Sequence, residues 1–273
     1  MPQCMERIWH PEIVPLELSD IWVNGATLWE QNGDLGFASA LRHALEQWRI
    51  GECASPWNEP VPAAVPGFEA VFLSGGRSQD NALRAELSRL PSAVVFSEEP
   101  IFVGARGGFE LLRARDLSGW VADWGQTQLK LAAPGWRRTF PRDGTRLHGG
   151  RGQSPSEVAA QRRRLREFIA LKFQVAMAET SQRPNSVVFA LPGAMADDGT
   201  PGGSSYVGMA GDRLLLPDAL KQAGLAGLPL FVLNDAELAA LGALTDERLA
   251  KFRKVLVLTL GFGLGAALIH RAA

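Results

Sequence analysis

The stretch LPLFVLNDAELAALGAL (228–244) passes from a continuous apolar run straight into a helical pattern, with only Asn234 and Asp235 at the join. It reads as a buried strand feeding directly into a helix. The same succession recurs along the chain. FEAVFL (68–73) leads through SGG into QDNALRAELSRL (79–90), and AVVF (93–96) leads into GARGGFELLRA (104–114). The small residues opening that last helix imply a close neighbour at its first turn. SVVFALPG (186–193) is another strand, ending in a Pro-Gly turn. This alternation predicts an α/β fold.

The remaining segments fit between these units. GWVADWG, QLKLAA and WRRTF, from Gly119 onward, read as three short strands of a meander. Residues 154–181 form a long helix, with Ser154 as its cap and Pro155 and Glu157 in its first turn. KVLVLTLGFGLGAALI (254–269) reads as two strands joined by a glycine-dense turn. DLGFASALRHALEQWR (34–49) is helical, with Leu35, Ala38, Leu41, Leu45 and Trp48 on one side. Residues 12–30 suggest short strands around Asn24-Gly25. PWNEPVPAAVPG (56–67), PRDGTRLHGGRGQ (141–153) and ADDGTPGGSS are loops.

Composition narrows the partners. A chain of 273 residues with 46% hydrophobic content can build one large core or two modest ones. A net charge of −1 gives no pull toward nucleic acid or an acidic membrane. Cys4 and Cys53 match neither a disulfide framework nor zinc-ligand spacing, so reduced thiols and no structural metal are expected. The first residues, MPQCMERIWHPE, do not read as a signal peptide, and VLVLTLGFGLGAALI is too short and too broken by glycine to span a bilayer. These features predict a soluble cytoplasmic protein with neither nucleic-acid nor membrane partner.

Four stretches carry candidate chemistry. In ADWGQTQLK, Asp123 ends an apolar strand, Gly125 permits a tight turn and Thr127 offers a hydroxyl. An Asp oxygen suits magnesium and turn amides can cradle phosphate, although a plain hairpin has the same pattern. TLGFGLG (259–265) strips side chains from one face of a turn through Gly261, Gly263 and Gly265. Backbone can then approach an anion, the alternative being a glycine-rich hairpin. LSGGRSQDN (73–81) places Gly75 and Gly76 at a strand–helix junction that can admit a flat ligand or a phosphate, or be an ordinary turn. Asp235 stands at the carboxyl end of a strand, where ligands of α/β folds bind; it is either a general base or the helix cap.

Together these stretches resemble the sugar kinase/actin/heat-shock-70 superfamily, and within it the ROK (glucokinase-like) sugar kinases. ADWGQT is similar to the first phosphate loop, TLGFGLGAALI to the second, LNDAELAALG to the Asn-Asp-Ala segment, and SVVFALPGAM to the strand ending in Pro-Gly. FEAVFLSGGRSQDNALRAEL with VGARGGFELL resembles the adenosine-binding segment and final helix. The resemblance covers residues 68–273. It implies a two-lobed actin-like (ribonuclease H-like) fold, ATP and Mg2+ as cofactors, and phosphorylation of a sugar or sugar acid. Asp123 would organise the magnesium, largely through water. Gly125, Gln126, Thr127, Thr259, Gly261 and Gly263 would contact phosphates, and Gly75, Gly76 and Gly104 the adenosine. Asp235 would be the general base, with Asn234, Pro192, Gly193 and His10 on the substrate.

The motif order departs from the family, in which the first phosphate loop precedes the adenosine segment. A circular permutation accounts for this. One lobe is then 1–118 plus 250–273, the other 119–249, and Met1 and Ala273 should lie close together. Gln126 replaces a glycine of the family loop. ERIWHPE (6–12) is one residue longer than the family's Glu-x-Gly-His segment and has Trp9 in place of the glycine. The DWG form also resembles 2-keto-3-deoxygalactonokinases, so the acceptor is open between sugar and sugar acid. A non-catalytic nucleotide- or sugar-binding protein of the same superfamily is the alternative, and a homodimer remains open. The arginines at 137, 138, 142, 146, 162, 163, 164 and 166 are expected on a solvated face or in internal pairs. Trp124 is the tryptophan placed to stack on a sugar, beside the first phosphate loop; the others are expected in the core.

Overall fold

The computed structural model describes residues 5–16, 36–42, 45–46, 67–125, 127–142, 154–193, 195–202, 209–261 and 264–272. It is a mixed α/β protein built on two sheets. The chain divides into two compact units, residues 1–9 with 104–238 and residues 10–103 with 239–273.

The first unit holds a six-stranded sheet. Its strands are β1 (Met5–Arg7), β5 (Trp120–Trp124), β6 (Gln128–Ala133), β7 (Trp136–Pro141), β8 (Val187–Leu191) and β9 (Leu230–Asn234), in the spatial order β1-β9-β8-β5-β6-β7. β5, β6 and β7 form the expected antiparallel meander, while β8, β9 and β1 run parallel to β5. β8 is buried at every position, as a strand covered on both faces must be. On one face lie α4 (Pro155–Thr180) and α5 (Leu215–Gln222). Leu165, Ile169 and Phe173 of α4 share a core with Trp120, Trp124, Leu131 and Phe189, and Phe173 stacks between Trp120 and Phe189. α4 begins as its sequence predicts: the Ser154 hydroxyl accepts from the Glu157 N–H, and the Glu157 carboxylate accepts from the Ser154 N–H. α3 (Val103–Arg113) approaches the sheet through Gly108, where a β-carbon would fall 2.6 Å from both methyls of Val121. The neighbour implied by its small residues is thus the protein's own core.

The second unit holds β2 (Ile13–Leu16), β3 (Ala70–Ser74), β4 (Ala93–Phe96), β10 (Lys254–Leu260) and β11 (Leu264–His270), in the order β2-β11-β10-β3-β4. β10, β11 and β2 are antiparallel neighbours, and β3 and β4 run parallel to β10. α1, with described residues 36–42 and 45–46, supplies Ala38, Leu41 and Leu45 to a core shared with α2 (Asn81–Leu87), β3 and β10. Those are three of the five positions predicted for its buried side. α2 starts at Asp80, whose carboxylate caps the Leu83 N–H. A short 3-10 turn (Gly76–Gln79) precedes it.

Two elements were not expected: β1, too short to show a period, and α5. The unit boundaries also differ from 118/119 and 249/250. They fall within α3 and α6 (Asp235–Leu244), because both helices run unbroken from one unit into the next. The change of sequence character at Gly119 marks the start of β5, at Trp120. Cys4, Cys53, Gln126, Gly263, Met1, Ala273 and the strands expected over 17–30 lie outside the described residues. Among the described residues, no helix is long and apolar enough to cross a membrane.

Candidate functional site

In the first unit, the candidate residues gather at the carboxyl ends of the parallel strands β5, β8 and β9, where ligands bind in α/β sheets. Asp123 is the penultimate residue of β5. The hairpin register sets it opposite Lys130 on β6, and Lys130 Nζ stands 2.6 Å from Asp123 Oδ2. Both side chains are largely buried, so the pair is less screened than a surface ion pair. Gly104, in the first turn of α3, packs closely here: a β-carbon on it would sit 2.9 Å from Leu238 Cδ2 and 3.6 Å from Asp123 Oδ2.

Asp235 opens α6, directly after β9. Its residue keeps some surface, yet its carboxyl is sunk among protein atoms. Burial first, and the Asp123 charge second, push it up to about 7, against the opposing pull of Lys130 and the amides of Ala236 and Asp235. Asp235 therefore holds its proton more tightly than a free carboxyl does.

Asp235 does not cap α6. Asn234 does: its Oδ1 accepts from the Ala236 N–H at 2.7 Å, and Glu237 Oε2 accepts from the Asn234 N–H at 2.7 Å. Asn234 Nδ2 donates to the Gly193 carbonyl at 2.7 Å, fastening the Pro192-Gly193 turn to the end of β9. Gly193 has φ of 91°, a backbone conformation open to glycine. Asn234, Asp235, Pro192 and Gly193 are thus brought together.

The turn after β5 is held from behind. Gly125 N–H donates to the Gln128 carbonyl, Arg142 Nη1 donates to the Gly125 carbonyl at 2.7 Å, and the Arg142 N–H donates to the Thr127 carbonyl. Thr127 itself is exposed. Arg142 is 2% exposed and lies over the Trp124 ring. The expectation that Trp124 stacks on a sugar is corrected: it is wholly buried, edge-on to Phe168, because β5 turns that side chain into the core. Arg162 and Arg166 do form internal contacts, to Ala210 O and Asp212.

In the second unit, Thr259 and Gly261 lie at the carboxyl end of β10, and Gly75 and Gly76 just beyond β3 beside it. Gly75 has φ of 86°, and a β-carbon there would meet Leu260 O at 2.4 Å. Only glycine lets the two strand ends close this tightly. Gly76 faces open space, with nothing within 4 Å of where a β-carbon would stand. His10 belongs to this unit, in the turn before β2. Its Nδ1 accepts from the Glu12 N–H at 3.2 Å, and burial lowers its pKa against the pull of Glu12.

Sequence reading missed Lys130 and Glu237, and it gave Arg142 only as an internal or surface arginine, without its bond to Gly125. Lys130 was the most accessible, since a tight hairpin after Asp123 places the residue seven positions on directly across from it. Among the described residues, no three His, Cys, Asp or Glu side chains converge as a metal cluster. No protein-family model, curated protein or solved structure matches the chain.

Proposed function

We propose that the protein is an ATP-dependent kinase that phosphorylates a hydroxyl of a sugar or sugar acid. The observation that carries this reading is the pair of carboxylates at the ends of β5 and β9, the two strands that flank β8: Asp123 ion-paired to Lys130, and Asp235 pushed up to about 7. In this reading Asp235 takes the proton of the acceptor hydroxyl as its oxygen bonds to the γ-phosphorus. The bond from the γ-phosphorus to its bridging oxygen breaks, and ADP leaves. A single carboxylate, Asp123, suits a magnesium ion that keeps most of its waters, and the ion would neutralise phosphate charge. Gly193, tied to Asn234, would border the acceptor. In the second unit, the open space at Gly76, beyond the carboxyl end of β3, suits the flat ring of a nucleotide.

Strand order supports an actin-like (ribonuclease H-like) fold in permuted order. Numbered along the chain from β5, the strands from β7 to β9 have the order 3-2-1-4-5. The second sheet repeats that order if β2 is counted after β11. Within that sheet β11 and β2 are paired neighbours, and the His270 N–H donates to the Glu12 carbonyl at 2.7 Å.

The binding-only alternative draws on Asn234, whose amide is already engaged by Ala236 and Gly193. ATP consumption and 31P spectra, measured with magnesium across a panel of aldoses, ketoses and sugar acids, separate the two. Acceptor-dependent ADP and a sugar phosphate are expected. Nucleotide binding without turnover on any acceptor would establish the alternative.

A further inference from the structure

The N-terminal strand β1 is the sixth strand of the first sheet, and it delivers one side chain toward the candidate base. β1 pairs parallel with β9, Arg7 opposite Val232, and the Ile8 N–H continues the ladder to the Val232 carbonyl. Arg7 is buried, with its guanidinium 4.2 Å from the centre of the Trp9 ring. Its Nη1 donates to the Ile8 carbonyl and its Nη2 to Glu237 Oε1, each at 2.8 Å. The other oxygen of Glu237 accepts from the Asn234 N–H, and Asn234 in turn holds Ala236 and Gly193.

We infer that Arg7 is a positioning residue: through Glu237 and Asn234 it sets the turn that carries Asp235 and the Pro192-Gly193 segment beside it. Three side chains thereby join β1, the first turn of α6, the end of β9 and the turn after β8. The charged pair is not needed for stability as such, since burying two ions costs about as much as their attraction returns. A neutral Gln could cap α6 alone. An ionised Glu with one oxygen fixed by Arg7 has a single orientation left for the other, and that oxygen receives the Asn234 N–H. The pairing also partitions charge. Glu237 is balanced by Arg7 and Asp123 by Lys130, which leaves Asp235 as the one of the three carboxyls with no cation bonded to it among the described residues.

The consequence for catalysis rests on the kinase reading, whereas the positioning itself does not, so the two are measured separately. Amide exchange of Asn234 and Ala236 is followed by NMR in the full chain, together with the Asn234 side-chain amide resonances. In Arg7→Met both amides should exchange about tenfold faster, the loss expected for one weakened hydrogen bond, while Val188 and Phe189 in the β8 ladder stay unchanged. Arg7→Met/Glu237→Gln strands no charge and is the variant that folds if Arg7→Met does not. It should show the same acceleration, with Arg7→Lys partly restoring protection. Wild-type exchange at both amides in the folded variants would overturn the inference. If acceptor-dependent transfer occurs, kcat should fall by about 10- to 100-fold in the neutral pair with the KM for ATP unchanged, as a misplaced reacting group costs. Absence of transfer in the wild type counts against the kinase reading alone. A kcat equal to wild type in the neutral pair counts against the positioning.

Discussion

At the scale of single residues, the argument turns on Asp235. A carboxyl raised from 3.8 to about 7 on folding is bound to its proton more tightly in the native state than in the unfolded one. Its contribution to stability is fully present below about pH 4 and is lost as pH rises through about 7. Asp235→Asn should therefore unfold at higher urea than wild type at pH 8, by up to about 4 kcal/mol, with no gain at pH 4. The same variant should bind Mg–ATP and transfer no phosphate. Wild-type kcat/KM should rise with pH and level off above about 7, since the unprotonated form is the base. Lys130→Met removes a cation that lowers the Asp235 pKa and should move that profile to higher pH. An unmoved profile in Lys130→Met would show that the titrating group is not Asp235. That Asp123, Gly75, Asn234 and Asp235 stand at strand ends was legible in sequence, because turn chemistry is local. Lys130, Glu237 and Arg7 were not read, because each acts on a partner that only a hairpin, a helix turn or a distant strand brings near.

Elements were legible to the extent that their pattern is internal. α4 shows both ends of this rule: its capping box depends on four consecutive residues and forms as expected. The tight approach of α3 and α6 depends on glycines whose role no periodicity reveals. Gly242 lies in α6 with the Val103 carbonyl so near that a β-carbon would stand 2.1 Å from its oxygen. Backbone cannot swing aside as a flexible side chain can. Gly242→Ala should cost about 2–3 kcal/mol in urea unfolding, as overpacking does, although alanine is the better helix former. A neutral or stabilising result would mean that α6 shifts along Val103 at little cost. β1 escaped notice for the opposite reason. Three residues carry no period, and the strand exists because β9 offers an open edge.

At the scale of the whole molecule, the two sheets carry the prediction. Each is completed by hydrogen bonds and cores of its own, so the peptide order that enters them is open to rearrangement. A chain opened between Leu117 and Gly119, with residue 273 joined to residue 1 through a flexible linker of about 15 residues, should fold to the same sheets. A fall in Tm of roughly 5 °C is expected, read by circular dichroism and melting. Failure to fold would tie the present order to the fold itself. If the second unit binds nucleotide, Mg–ATP at about a hundredfold excess over its Kd should stabilise the protein by about 2.7 kcal/mol. Absence of any shift in melting would remove the nucleotide from the reading.

The sequence by itself determined the α/β class, nearly every long element, and the turn residues at Asp123, Gly75 and Asn234-Asp235, because these follow from periodicity and backbone preference within a few residues. Tertiary structure alone decided that Trp124 belongs to the core and not to a ligand, that Asn234 caps α6 in place of Asp235, and that β1 closes the first sheet. It also decided the state of Asp235. Burial and the field of a carboxylate over a hundred residues away lift that group toward neutrality, and neither acts until β5 and β9 have both joined β8 in the sheet.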